Sequence, residues 1–230
     1  MATARRGPEV RHLPGLHGER LTLLVSGVAP LLLGLAGLIV LEGPADRPEL
    51  DQPPVMILDY FSGQDTVILG SFLLMLAAML FLGFAGCLRS AEGGDGRLST
   101  IAFGGGVAVA VFMLAMPAVN VCGALSADFL SVRQAQTLYL MGDAFLYPAA
   151  MAAAVMLAAT AGVALKTGVL ARWLAWPSLA LALWLLVPPL GQSIDAPENP
   201  AVWTGLAVLP LVLVWAAVTA VLLAIEHRDH

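Results

Sequence analysis

The stretch TVILGSFLLMLAAMLFLGFAGCL, from Thr66 to Leu88, contains no Asp, Glu, Lys, Arg, His or Pro. As one α-helix, a run of this length crosses the hydrocarbon of a bilayer, about 30 Å thick. Such a helix presents no polar face to water and needs none in lipid, because its peptide groups bond to one another. Five more uncharged runs read the same way: Leu21 to Leu41, Thr100 to Leu125, Ala144 to Leu165, Trp173 to Leu190, and Trp203 to Ile225. The expectation is an all-α polytopic membrane protein, a six-transmembrane-helix bundle over residues 21–225 with short tails at 1–20 and 226–230.

Working outward from these runs, the whole chain is 59% AVILMFWYC and only 12% charged, with a net charge of −5 and a mean hydropathy of +0.86. Soluble domains carry about a quarter of their residues as charges. So few charges argue against a nucleic-acid-binding surface and against intrinsic disorder. The loops left between the runs are too short for a second soluble domain.

Orientation follows from the basic residues. Arg5, Arg6, Arg11, Arg20, Arg89, Arg97, Lys166, Arg172 and Arg228 fall on one side of the alternating spans, and only Arg47 and Arg133 on the other. The positive-inside rule then expects both termini in the cytoplasm, in the inner (plasma) membrane of a cell. Trp173 and Trp176 would mark the inner interface and Trp203 the outer one. The first run reads as a retained helix rather than a cleaved signal, since Glu42-Gly43-Pro44-Ala45-Asp46 after it offers no small-residue cleavage pattern. Arg5-Arg6 reads as topogenic charge, not as a twin-arginine export signal. Cys87 and Cys122 fall at opposite membrane faces, which excludes an intrachain disulfide.

Ala150, Ala154, Ala158 and Gly162 form a ridge of small residues at four-residue spacing, and Phe103-Gly104-Gly105-Gly106 thins the third span. Both features predict close packing between the third and fourth spans. Pro30, Pro117, Pro177 and Pro210 each fall inside a span and shape it permanently. The methionines of the spans read as packing material rather than copper ligands.

Several chemistries lack their residues. His12, His17, His227 and His230 all lie in the tails, so there is no intramembrane haem ligation, and HExxH is absent. Phosphate-cradling GxxxxGK[ST] and the GxSxG elbow are missing as well. Gly142-Asp143 matches half of an intramembrane aspartyl protease motif, but Leu140 replaces its first glycine and no neighbouring span supplies a second aspartate. The expectation is no catalytic residue, no metal and no cofactor, with a non-enzymatic role favoured over a membrane enzyme acting on a lipid or isoprenoid, which would need titratable groups beyond Asp143 within the spans.

The sharpest polar feature is Asp143. If the fourth span continues outward as helix, Tyr139, Asp143 and Tyr147 share one face. Asn120 mirrors Asp143 across a turn from Asp128 to Gln136, so a symmetrical hairpin holds both at one depth. An outward-facing pocket of Asn120, Tyr139, Asp143 and Tyr147, with Arg133 as counter-ion, is one reading of these residues. Local pairing of Asp143 that merely orients the hairpin is the other. The first external loop, Glu42 to Asp65, holds six acids against one Arg. Two readings of it stay open: a solvated acidic connector, the commoner meaning of such a run, or a loop whose segment Val55 to Phe61 forms a short surface helix able to cap the pocket. An inverted repeat relating helices one to three to helices four to six is compatible with their opposite starting directions.

Three segments carry a family resemblance: Val67-Ile68-Leu69-Gly70-Ser71-Phe72-Leu73-Leu74; Ala135-Gln136-Thr137-Leu138 with Gly142-Asp143; and Lys166-Thr167-Gly168-Val169-Leu170-Ala171-Arg172-Trp173-Leu174. On these the chain resembles an uncharacterised bacterial family of six-span integral membrane proteins, of the actinobacterial type. It departs from the family pattern at Ala171, where a proline is expected. The resemblance implies the fold and no activity.

Two functional readings follow. The first is a non-enzymatic protein that binds or passes a small-molecule or lipid ligand through the outward pocket, which expects a deep polar-lined cavity. The second is a structural or regulatory subunit packing against a membrane-protein partner or a second copy, which expects a filled bundle. The bilayer is a partner in both, and nucleic acid in neither.

Overall fold

The computed structural model describes residues 16–43, 47–48, 53–92, 96–168, 172–187 and 200–226. The chain order is α1 (Leu16–Glu42), α2 (Pro54–Ser62), α3 (Gln64–Ala91), α4 (Arg97–Leu125), a 3-10 turn (Ala127–Phe129), α5 (Val132–Ala144), α6 (Leu146–Thr167), α7 (Arg172–Trp184) and α8 (Pro200–Glu226). Among the described residues no strand occurs, so the protein is all-helical. Among the described residues, five segments are long and apolar enough to cross a membrane: Leu21–Glu42, Gln64–Ala91, Arg97–Leu125, Val132–Thr167 and Val208–Ile225. The run expected at Trp173 to Leu190 is helical as α7 for 13 residues, and its last three positions lie outside the described residues. So does the C-terminal tail beyond Glu226, while α1 begins inside the expected N-terminal tail.

Local chemistry sets the element boundaries. Pro54 opens α2 at its first position, where a missing N–H costs nothing. Ser131 and Gln134 form a reciprocal capping box that starts α5 at Val132. The turn is therefore shorter than the expected Asp128 to Gln136. Nor is the fourth span one continuous rod: α5 and α6 meet at a break at Phe145. Pro148 has no N–H to give to the carbonyl of Ala144 four residues back, so the ladder fails there. Gly168 ends α6 in the left-handed region, with φ of 68°.

The long helices pack antiparallel in chain order, and the close approaches give the register. A Cβ at Gly37 would meet the Gly70 carbonyl at 2.9 Å, one at Gly106 would meet Ala85 at 2.8 Å, and one at Gly105 would meet the Met156 nitrogen at 2.9 Å. These contacts join α1 to α3, α3 to α4, and α4 to α6. At Gly27 an added Cβ would stand 2.2 Å from that of Ala220, and at Gly34 it would stand 2.5 Å from Leu213. The first and last helices thus also lie antiparallel and close the bundle. Trp215 of α8 donates from Nε1 to Ser178 Oγ of α7 at 2.9 Å and sets its ring edge-on to Phe84 of α3.

The third and fourth spans pack together as expected, along a slightly different seam. On α6, Ala150 and Ala154 are buried but Ala158 is exposed; the residues facing Gly105 are Ala152 and Met156. Pro30, Pro117, Pro177 and Pro210 all lie within helices. Large apolar side chains such as Leu32 (63%), Ile39 (68%) and Trp176 (68%) point outward. That outward face would be a liability in water and is the natural surface of a bundle solvated by lipid. Cys87 and Cys122 are both free thiols.

Candidate functional site

The polar residues gather at the end of the bundle formed by the C-terminus of α1, α2, the start of α3, the C-terminus of α4 and α5. Here Arg47, Pro48 and α2 of the acidic loop lie against the helix ends. α2 buries Ile57, Tyr60 and Phe61, with Phe61 seated against Gly123 of α4, where any Cβ would collide with its ring. Of the two readings of this loop, the helix over Val55 to Phe61 is the one observed, and its apolar face packs against the bundle, so the solvated connector is corrected over this segment.

Arg47 is the centre of the cluster. Its side chain is 5% exposed and makes an ion pair with Asp143 through Nη2 and with Glu42 through Nη1 at 3.3 Å. Its Nε donates to the Tyr139 hydroxyl at 3.1 Å, and the guanidinium carbon lies 5.5 Å from the Tyr139 ring centre. The Tyr139 hydroxyl in turn donates to the Pro48 carbonyl, which ties the loop backbone to α5. Burial alone would lower the Arg47 guanidinium, but Asp143, Tyr139 and Glu42 outweigh it and hold it further above its ordinary range. Tyr60 stands edge-on to Tyr139 at 6.1 Å. Its buried hydroxyl has no hydrogen-bond partner, and burial pushes the phenol well up against the pull of Arg47.

The five sequence-predicted residues divide. Tyr139 and Asp143 share one face of α5 and the same guanidinium. Asn120 is buried, and its Oδ1 lies 3.6 Å from where a Cβ of Gly142 would be, which puts it beside Asp143 in depth. Tyr147 sits half-buried in the first turn of α6, across the Phe145 break. Arg133 is exposed in the first turn of α5. The counter-ion of Asp143 is Arg47, not Arg133. Sequence reasoning missed Arg47, Glu42, Pro48 and Tyr60; the available signal was Arg47 standing alone among six acids in its loop.

A second polar group, at the opposite end, was not anticipated. Glu92 follows the last residue of α3 and is 5% exposed, with Ser99 of α4 and Thr160 of α6 each 1% exposed. In the sequence it stands among Arg89, Asp95 and Arg97 and reads as a solvated loop acid.

Between α4, α6 and α8 lies a recess of about 20 Å³, lined by residues including Phe112, Met113, Met116, Leu146, Ala153 and Val212. Its lining is wholly apolar. That volume admits about one water, far below the several hundred Å³ of a small-molecule site. Among the described residues no three His, Cys, Asp or Glu side chains gather as a metal site.

No family model, no curated protein and no solved structure matches this chain.

Proposed function

We propose that this chain is a six-span bacterial plasma-membrane protein with both termini in the cytoplasm, and that it acts by contact, as a structural or regulatory subunit against a partner membrane protein. The observation that carries this reading is closure. Two of the polar residues nominated for an outward pocket, Tyr139 and Asp143, are engaged by the Arg47 latch, whose guanidinium is shared between Asp143 and Glu42. The recess between α4, α6 and α8 is apolar and holds about 20 Å³. A route for a polar solute would need buried polar groups facing open volume.

Six crossings are supported by register. Because α8 lies antiparallel to α1, it starts at the end of the bundle opposite to the one where α6 stops, which supports a further crossing that includes α7. The nine-to-two division of basic residues supports the orientation. The resemblance to the uncharacterised six-span family belongs to the same reading. A second reading, a lipidic ligand held between α4, α6 and α8, is favoured by the apolar recess and requires those helices to part.

Photo-crosslinking in native membranes tests the reading. A photoreactive residue is placed singly on the outward faces at Leu32 and Ile39 of α1, Phe72 of α3, Val111 of α4 and Leu183 of α7. The expected result is one protein adduct of fixed mass from one face only. Lipid adducts from every position would overturn the subunit reading; a lipid trapped from Val111 alone would favour the second.

A further inference from the structure

Away from the latch, the end of the bundle where α3 stops and α4 begins holds polar oxygen atoms that the fold leaves unused. Both carboxyl oxygens of Glu92 and the hydroxyl of Thr160 are buried without a hydrogen-bond partner. Ser99 Oγ lies beside them, donating to the Arg89 carbonyl of the last α3 turn at 3.3 Å. Packing fixes the arrangement: Leu98, one residue before Ser99, sits against Gly162 of α6, and the Glu92 amide donates back to Leu88 at 2.9 Å. The three side chains thus come from three different elements and converge.

A carboxylate this buried is expensive unless something neutralises it. No basic side chain among the described residues does so. The guanidinium of Arg89, on α3, lies over the Phe103 ring of α4 at 5.1 Å. Arg97 at the start of α4 and Lys166 near the end of α6 are exposed. The ion pairs among the described residues are those of Arg47.

We propose that Glu92, Ser99 and Thr160 form a binding site for a small monovalent cation of the sodium type. The donor set is all hard oxygen, which suits such an ion. Its single negative charge is cancelled by one positive charge, whereas a divalent ion would leave an excess charge buried. A proton alone would satisfy one carboxyl oxygen; a cation engages both, and the Thr160 hydroxyl with them. Burial pushes the Glu92 carboxyl up to about 7. Protons and the cation therefore compete near neutral pH. The carboxyl is ionised and ready for the cation above that value, and protonated below it.

The full chain in detergent provides the test, by thermal unfolding in sodium chloride against N-methylglucamine chloride at equal ionic strength. At about pH 8, sodium at about ten times its Kd is expected to raise Tm on the order of 4 °C. The rise is expected to vanish at about pH 5, where the carboxyl is protonated. It is also expected to be lost in Glu92→Gln and reduced in Thr160→Val, each shown folded by circular dichroism. Equal Tm in the two salts at about pH 8 would overturn the proposal using the unmutated chain alone. So would a Tm that changes with pH but not with the cation, the signature of a proton-only site. A sodium effect undiminished in folded Glu92→Gln would place the ion elsewhere.

Discussion

Arg47 and Asp143 are separated by 96 positions in the chain and share one ion pair, so their energetics belong to the pair and not to either residue. Arg47 cannot shed its charge, and it is the more deeply buried partner, at 5% exposure against 22% for Asp143. Removing Asp143 therefore leaves a buried cation whose remaining carboxylate, Glu42, is 43% exposed. Asp143→Leu is expected to destabilise the protein by about 3 kcal/mol. The double variant Arg47→Met with Asp143→Leu is expected to cost less than that single change, because no charge is left stranded. Chemical unfolding of the two singles and the double in detergent measures this, and strictly additive costs would show that the pair is incidental. Of this cluster, Tyr139 and Asp143 were legible from their four-residue spacing. Arg47 was not, because helix spacing says nothing about where a loop arginine folds.

At the scale of elements, the α4–α6 seam depends on two adjacent glycines with opposite surroundings. A Cβ on Gly105 would stand 2.9 Å from the Met156 nitrogen and 3.0 Å from the Ala152 carbonyl, both backbone atoms, whereas Gly104 has nothing within 4 Å. Gly105→Ala is expected to cost about 1–3 kcal/mol, since two helix backbones would have to separate. Gly104→Ala is expected to be neutral or slightly stabilising, because alanine is the better helix former. Melting temperatures of the two variants in one detergent check the contrast, and equal effects would count against this seam. Glycine content pointed to tight packing here, but the rotation of each helix about its axis decides which glycine carries it. The same limit explains why Ala158 proved exposed although it belongs to the Ala150 series. The start of α5 was readable in principle from Ser131 and Gln134 three residues apart, and its end from Pro148.

For the whole molecule, the proposed topology rests on the antiparallel closure of α1 against α8 and on the asymmetry of basic residues. Reporters fused in frame after Glu49 and after Glu92 should give opposite signals: alkaline phosphatase active only at Glu49, green fluorescence only at Glu92. Reporters in the same compartment would overturn the topology, and with it the assignment of the Arg47 latch to the outer face. In that topology the latch pins the first external loop at the outer head-group level, and the Glu92 group faces the cytoplasm. The two polar sites then lie at opposite ends of an apolar body. A charge inside the spans would have to be matched in hydrocarbon; at their ends it can be matched by a loop or an ion.

Helical class and the presence of helices long and apolar enough to cross a membrane were determined by the sequence alone, which also held the helix over Val55 to Phe61 as one of two readings. Each depends on local composition: an uncharged run of bilayer length has one stable conformation in lipid, and Pro53-Pro54 ahead of an apolar patch starts a helix wherever the patch docks. Tertiary structure alone decided that Arg47 answers Asp143, that Arg133 stays exposed, and that Glu92 is buried against Ser99 and Thr160. Those outcomes depend on which residues distant in the chain become neighbours. That choice is made by the packing of whole helices, where small residues allow close approach, and not by the chemistry of any one segment.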